Sequence, residues 1–140
     1  MKRLILPFLF LILFTSSCVT QKMLDQYSGT SIVFGDGGGF TGLVNEYKLT
    51  TDGRIILLKN MTGDTVTVAT LNKKATANIY SKLQESGIDT LSFDHPGNKY
   101  YFIGKEKNNK TAKIVWGNRD YAVPQPLEDL YTLLISNINN

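Results

Sequence analysis

The hydrophobic period of this 140-residue chain changes near residue 72. Ahead of that point, apolar residues alternate as they do on strands with one buried face; beyond it they first recur at helical spacing. "TSIVF" (Thr30 to Phe34) is β-branched and aromatic, the composition that strands favour. "LVNEYKL" (Leu43 to Leu49) places Leu43, Tyr47 and Leu49 on one face, and Glu46 and Lys48 on the other. The turn signal "TDG" leads into "RIILLK" (Arg54 to Lys59), and "NMTGD" turns again into "TVTVA" (Thr65 to Ala69). These four runs predict an antiparallel meander.

From Asn72 to Ser86, Ala75, Ile79 and Leu83 then mark one helix face, and Gly87 supplies a stop. "KYYFIGKE" and "TAKIVWG" flank a polar turn and predict a second hairpin, with the asparagines of "KEKNNKTAK" at its solvated tip. A last helix follows "VPQP": Leu127, Leu130, Tyr131, Leu134 and Ile138 form its stripe, and Glu128 and Asp129 sit in the favourable first turn. Strands grouped ahead of helices predict an α+β fold. Its expected form is an antiparallel β-sheet, a four-stranded meander plus a hairpin, packed with two helices in the order ββββαββα.

The N-terminus has a different character. Lys2 and Arg3 precede an uncharged apolar run, Leu4 to Phe14, and the small residues "TSS" lead to Cys18. That is the layout of a signal peptide. A membrane-spanning helix needs about 20 apolar residues, more than this run offers. Cys18 is the sole cysteine, so no intrachain disulfide can form. Its position resembles the lipobox of bacterial lipoproteins, in which the cysteine becomes the lipidated N-terminus. The resemblance implies a signal peptide over residues 1–17, lipidation at Cys18, a lipidated tether over residues 18–28 and a single α+β domain over residues 29–140. Val19 rather than Asp follows the cysteine; in such lipoproteins that implies a lipid anchor in the outer membrane of the cell envelope. Loss of Lys2 and Arg3 takes the formal charge from +3 towards neutrality. The remaining chain carries no electrostatic footprint for nucleic acid.

"FGDGGGFTGLV" (Phe34 to Val44) contains G-x-G-x-x-G-x-V through Gly37, Gly39, Gly42 and Val44. A dinucleotide fingerprint needs a helix to open at the loop, whereas a strand follows here. A kinase loop does join two strands, and Lys59 closes the next one, but the H-R-D and D-F-G contexts of phosphoryl transfer are missing. The reading is therefore no nucleotide and no cofactor. Glycine serves backbone geometry, reaching φ > 0 and permitting close approach. Gly35, Asp36, Gly37, Gly38, Gly39, Phe40, Thr41 and Gly42 form the candidate interaction or structural loop.

"GGGFTG" running into "EYKLTTDGRI" resembles the N-terminal signature of emfourin-like proteins, small α+β inhibitors of thermolysin-type metalloproteases. The likeness covers most of residues 30–138 in element order. It implies a protein partner, with a secreted metalloprotease as the leading target class and Asp94 to Asn98 as a second contact loop. It transfers no inhibitory residue. The alternative is a structural outer-membrane-associated lipoprotein without inhibitory activity.

Catalysis is not expected. His95 is the sole histidine, and Asp94 beside it is accounted for by turn chemistry with Pro96 and Gly97. A zinc site would have to be built from that one histidine plus carboxylates, and no metal site is expected. Tyr100, Tyr101, Phe102 and Trp116 are expected to pair across neighbouring strands.

Overall fold

The computed structural model describes residues 18–59 and 62–138. The expected signal peptide, residues 1–17, lies outside them, as does Asn60 of the "NMTGD" turn. The chain opens with a helix, α1, over residues 18–26. Strands β1 (Thr30–Gly38), β2 (Val44–Leu49), β3 (Arg54–Leu58) and β4 (Thr65–Thr70) follow, then helix α2 (Lys73–Glu85). A single 3-10 turn (Ile88–Thr90) leads to β5 (Asp94–His95), β6 (Lys99–Lys107), β7 (Lys110–Trp116) and helix α3 (Gln125–Ser136).

The seven strands form one sheet in the order β4-β3-β2-β1-β6-β7-β5. The meander and the hairpin are both present, and β1 joins them. It pairs antiparallel with β2 on one side (Phe34 opposite Tyr47) and with β6 on the other (Phe34 opposite Ile103). Two features depart from the expected antiparallel sheet with two helices. Asp94 and His95 run parallel to Val115 and Trp116, which makes the sheet mixed, and α1 adds a third helix.

Alternation along the strands decides which face the helices cover. Ile32 and Phe34 of β1, Leu49 of β2, Ile55 of β3, Ile103 of β6, and Ile114 and Trp116 of β7 share one buried cluster with Ile79, Tyr80 and Leu83 of α2 and Leu127, Leu130 and Leu134 of α3. Each such leucine contributes roughly 1.5–3 kcal/mol by burial. Helix α2 starts where Asn72 Oδ1 accepts the Ala75 N–H at 2.9 Å, an N-cap. The buried Tyr80 hydroxyl lies 2.9 Å from the Thr30 carbonyl oxygen and 3.2 Å from that of Leu49, which ties α2 to the paired ends of β1 and β2.

Among the described residues, no helix covers the opposite face. Val33 and Phe102 are buried there, beneath long charged side chains that cross β1. Lys48 of β2 meets Glu106 of β6, and Lys113 of β7 reaches Glu46 of β2, each at 2.7 Å. On its way Lys113 Nζ sits 4.6 Å from the centre of the Phe102 ring. The lysine-rich hairpin is therefore a solvated turn only at its tip: Lys105 and Lys113 are ion-paired, Lys105 with Asp89. At the tip, Asn108 and Asn109 take φ of 53° and 60°, as a two-residue type I′ turn requires.

Residues 18–28 do more than link. Leu24 and Tyr27 belong to the core, and Tyr27 lies 5.1 Å from the ring of Tyr80. The packed unit thus extends N-terminal of Gly29.

Candidate interaction site

The stretch Gly35 to Gly42 divides in two. Its first half is strand rather than loop: Gly35, Asp36, Gly37 and Gly38 continue β1, with Gly35 between Glu46 and Phe102 and Gly37 between Val44 and Tyr100. Glycine is a poor strand former in isolation, but pairing on both sides decides the matter here. Neighbours occupy the space that side chains would fill. A Cβ on Gly35 would meet the Asn45 carbonyl oxygen and, at 2.9 Å, Phe102 Cζ; one on Gly37 would lie 2.6 Å from Tyr100 Cζ. The two aromatic rings cover the glycines of the central strand, and the exclusion is steric.

Asp36 falls on the helix-covered face, half-buried, where the Asn45 Nδ2 donates to its Oδ1 at 3.5 Å. Burial, with a smaller effect of this carboxylate, holds the Tyr131 hydroxyl far above the usual phenol range and raises that of Tyr47.

The second half is the true loop. The Gly39 N–H donates to the Asn98 carbonyl at 2.7 Å, and the Gly42 N–H donates to the Gly39 carbonyl at 3.3 Å, which closes a turn around Phe40 and Thr41. Gly39 and Gly42 both lie at positive φ, 73° and 63°, a region that side chains rarely adopt. The result is a short, fastened tip with Phe40 wholly in solvent, at 108 % relative exposure, and Leu43 at 60 %. Beside it lies a hollow of about 490 Å³, lined by Leu43, Val44, Leu57 and Leu58, with Lys59 as its one charged residue among those described.

The second expected contact loop, Asp94 to Asn98, is not simply a turn. Its first two residues are β5, and the His95 ring is held edge-on to Phe93 at 4.7 Å and stacked on Tyr121 at 3.7 Å. Pro96, Gly97 and Asn98 do form a connection, and Asn98 touches Gly39. The two expected loops are therefore neighbours. Among the described residues, no three His, Cys, Asp or Glu side chains converge as a metal site would need. Tyr101 faces Trp116 across β6 and β7, with ring centres 6.1 Å apart, the expected cross-strand pair.

Cys18 is exposed at the first described position of α1, at the other end of the molecule. Gln21 and Asp25 of α1 share a hollow with Thr51 and Asp52 of the β2–β3 turn. That turn lies beside the start of β1, because Leu49 pairs with Ile32. Phe40 follows the far end of the same nine-residue strand, about 30 Å away at ~3.3 Å per residue. No helix among the described residues is long and apolar enough to cross a membrane.

Sequence reasoning located the Phe40 loop but missed its contrast with the buried half of the glycine run. The chain matches no protein-family model and no curated protein.

Proposed function

We propose that this is a lipoprotein anchored through Cys18 to the outer membrane of the cell envelope, and that its α+β domain binds a protein partner by inserting the Phe40 loop. One observation carries the reading: an apolar ring at 108 % exposure on a tip fastened at both ends. A solvent-exposed phenylalanine gains roughly 1.5–3 kcal/mol when a partner buries it. Aromatic anchors of this kind dominate protein interfaces. The fastened turn has little conformational entropy left to lose on docking. Leu43 and the neighbouring hollow extend the surface, and the Asn98 connection flanks it. The target class is a secreted thermolysin-type metalloprotease, as the glycine signature implies.

Titration against such a protease tests this, with peptide hydrolysis as the readout. Stoichiometric loss of activity with the inhibitor left uncleaved supports the inhibitory form, and Phe40→Ala should weaken it at least about tenfold, the equivalent of 1.4 kcal/mol. A Phe40→Ala variant as potent as the parent refutes the loop as the contact.

A second reading, a structural envelope lipoprotein that inhibits nothing, has its own support. Among the described residues nothing pairs with the outer edge of β4, its sequence Thr65–Thr70 has no charge, and Val66 and Val68 are exposed. Such an edge is a template for another chain's strand. Inactivity against several thermolysin-type proteases favours this reading.

A further inference from the structure

We propose that a cleft beside β5 and the start of α3 binds a neutral oligosaccharide. Two adjoining hollows, of about 380 Å³ and 610 Å³, share Tyr101, Gly117 and Asn118 at the end of the molecule that carries Phe40. The site does not depend on the Phe40 loop or on any protein partner.

Three properties define the ligand. The first is an aromatic floor. Tyr121 is 48 % exposed, yet its ring lies flat on His95 at 3.7 Å and 1°, so the exposed surface is its other face and rim. Tyr101, with Lys99 Nζ 5.6 Å from its ring centre, and Trp116 continue the lining, and Tyr131 packs against both rings at 5.6 Å and 5.2 Å. The floor is preorganised by packing. The second is a set of planar amides with unspent hydrogen-bonding capacity. Asn118 Oδ1 accepts the Asp120 N–H at 3.0 Å, which leaves its NH₂ group to donate. Gln125 donates its NH₂ to Asp129 at 2.9 Å, which leaves its carbonyl oxygen to accept. Donor and acceptor thus stand beside an apolar ring face.

The third property is charge balance. Lys99 and Arg119 oppose Asp120 and Glu128 around the rim, two cations against two anions. A cleft for a phosphate, a nucleotide or an acidic peptide would carry an excess of cations, and one for a basic segment an excess of anions. A balanced rim selects a neutral ligand. A pyranose ring fits all three properties: its C–H face covers an aromatic ring while its hydroxyls both donate to and accept from amides.

Trp116 is the only tryptophan in the chain and lines this cleft, so its emission is read without a second indole. The full chain, held in a zwitterionic detergent that carries no sugar, would be titrated with chitohexaose, with maltohexaose and with a neutral hexapeptide of Gly, Ser and Asn. The expected result is a saturable change with one hexasaccharide and a Kd in the range of about 0.1–5 mM, as suits a shallow site. A response to chitohexaose points to a wall-type N-acetylhexosamine chain, and one to maltohexaose points to a glucan. Tyr121→Ala and Gln125→Ala should each weaken binding at least about fivefold; the exposed Gln125→Ala should keep the parent melting temperature, whereas Tyr121→Ala also gives up its stack on His95 and is titrated well below its own melting temperature. The proposal is overturned by the absence of saturation with either sugar at about 10 mM, by a response to the hexapeptide alone, or by undiminished binding in both variants.

Discussion

Adding one methyl group at Gly35 separates a steric role for the glycine run from a ligand-binding one. The favourable side of Gly35→Ala is small: reduced freedom of the unfolded chain contributes roughly 0.5–1 kcal/mol. Against it, the new Cβ would fall on the Asn45 carbonyl oxygen, with Phe102 Cζ at 2.9 Å. That oxygen is backbone of β2 and cannot retreat without disturbing the β1–β2 pairing at the centre of the sheet. Overpacking of this kind costs about 1–3 kcal/mol, and rigid backbone places the case at the upper end, for a net loss of about 2 kcal/mol. Gly39→Ala is the matched comparison. A Cβ there meets nothing within 4 Å, and the cost is only that of holding alanine at φ 73°. About 1–2 kcal/mol of left-handed strain, less the entropic gain, leaves a net loss of about 1 kcal/mol or below. Urea unfolding followed by Trp116 fluorescence would measure both on one scale. For a chain of this size, each kcal/mol also moves the melting temperature by about 3–6 °C. Gly35→Ala should be the more destabilised of the pair by about 1 kcal/mol, with an unchanged urea slope. Equal stabilities, or a more stable Gly35→Ala, would refute the claim that neighbouring atoms rather than a ligand require glycine in the strand.

Other expectations follow from the same geometry. Intact-mass measurement of the membrane fraction should find a chain that starts at Cys18 and carries acyl chains; an unmodified thiol, or cleavage elsewhere, would end the lipoprotein reading. ATP with magnesium should leave the melting temperature unmoved, whereas a saturable rise would restore a nucleotide role to the glycines. Burial raises the Tyr80 and Tyr131 phenols in the folded state. Their contribution to stability is therefore complete below the unfolded tyrosine pKa of about 10 and lost as pH climbs beyond it, so urea midpoints should fall steeply on the alkaline side. Tyr80→Phe should soften that fall. At neutral pH the same change should cost about 1–2 kcal/mol, because the Thr30 and Leu49 carbonyls lose a donor; an undiminished midpoint would show that the bond contributes nothing.

Much of this architecture could be read from side-chain period, and the exceptions have physical causes. The meander was legible because Tyr47, Leu49 and Ile55 alternate with polar or outward-facing neighbours. Helix α3 was legible because Leu127, Leu130 and Leu134 repeat one face. Helix α1 was not: over its nine residues Leu24 is buried and Met23 packs in part, with Tyr27 just beyond, and so few contacts make no period. The extension of β1 through Gly38 was hidden because its glycines carry no side-chain pattern, and their strand character comes entirely from partners on β2 and β6. The two-residue β5 was hidden for a related reason, since its parallel pairing with β7 is long-range and "DHPGN" has the composition of a turn. Within the candidate site, the sequence marked the loop but not the division between a covered half and a free one. That division depends on where Phe102 and Tyr100 project. The cleft around Tyr121 draws on two separated segments, 97–101 and 116–128, and no local motif announces it.

The direction of β1 connects these features to the proposed anchoring. Its first residue, Thr30, lies beside α1 and opposite Lys107, so the exposed Lys107 and Lys110 of the β6–β7 tip stand at the same end as Cys18. Lys22 on α1 and Lys73 and Lys74 at the start of α2 are also exposed near this end, together with Asp25 and Asp52 of the hollow that Gln21 shares with Thr51. Basic side chains grouped beside a lipid attachment point suit an anionic headgroup layer, where each contributes about 1 kcal/mol close to the surface. At the opposite end stand Phe40, Leu43 and the charge-balanced cleft. An apolar loop meant for the same bilayer would have to sit beside the lipid, not a strand's length away from it. The order of residues along one central strand thus sets a lysine-bearing end beside Cys18, with Asp25 and Asp52 among the lysines, apart from an aromatic end that carries Phe40 and the cleft. Were Cys18 lipidated as proposed, the Phe40 loop would stand a strand's length, about 30 Å, from the attachment point.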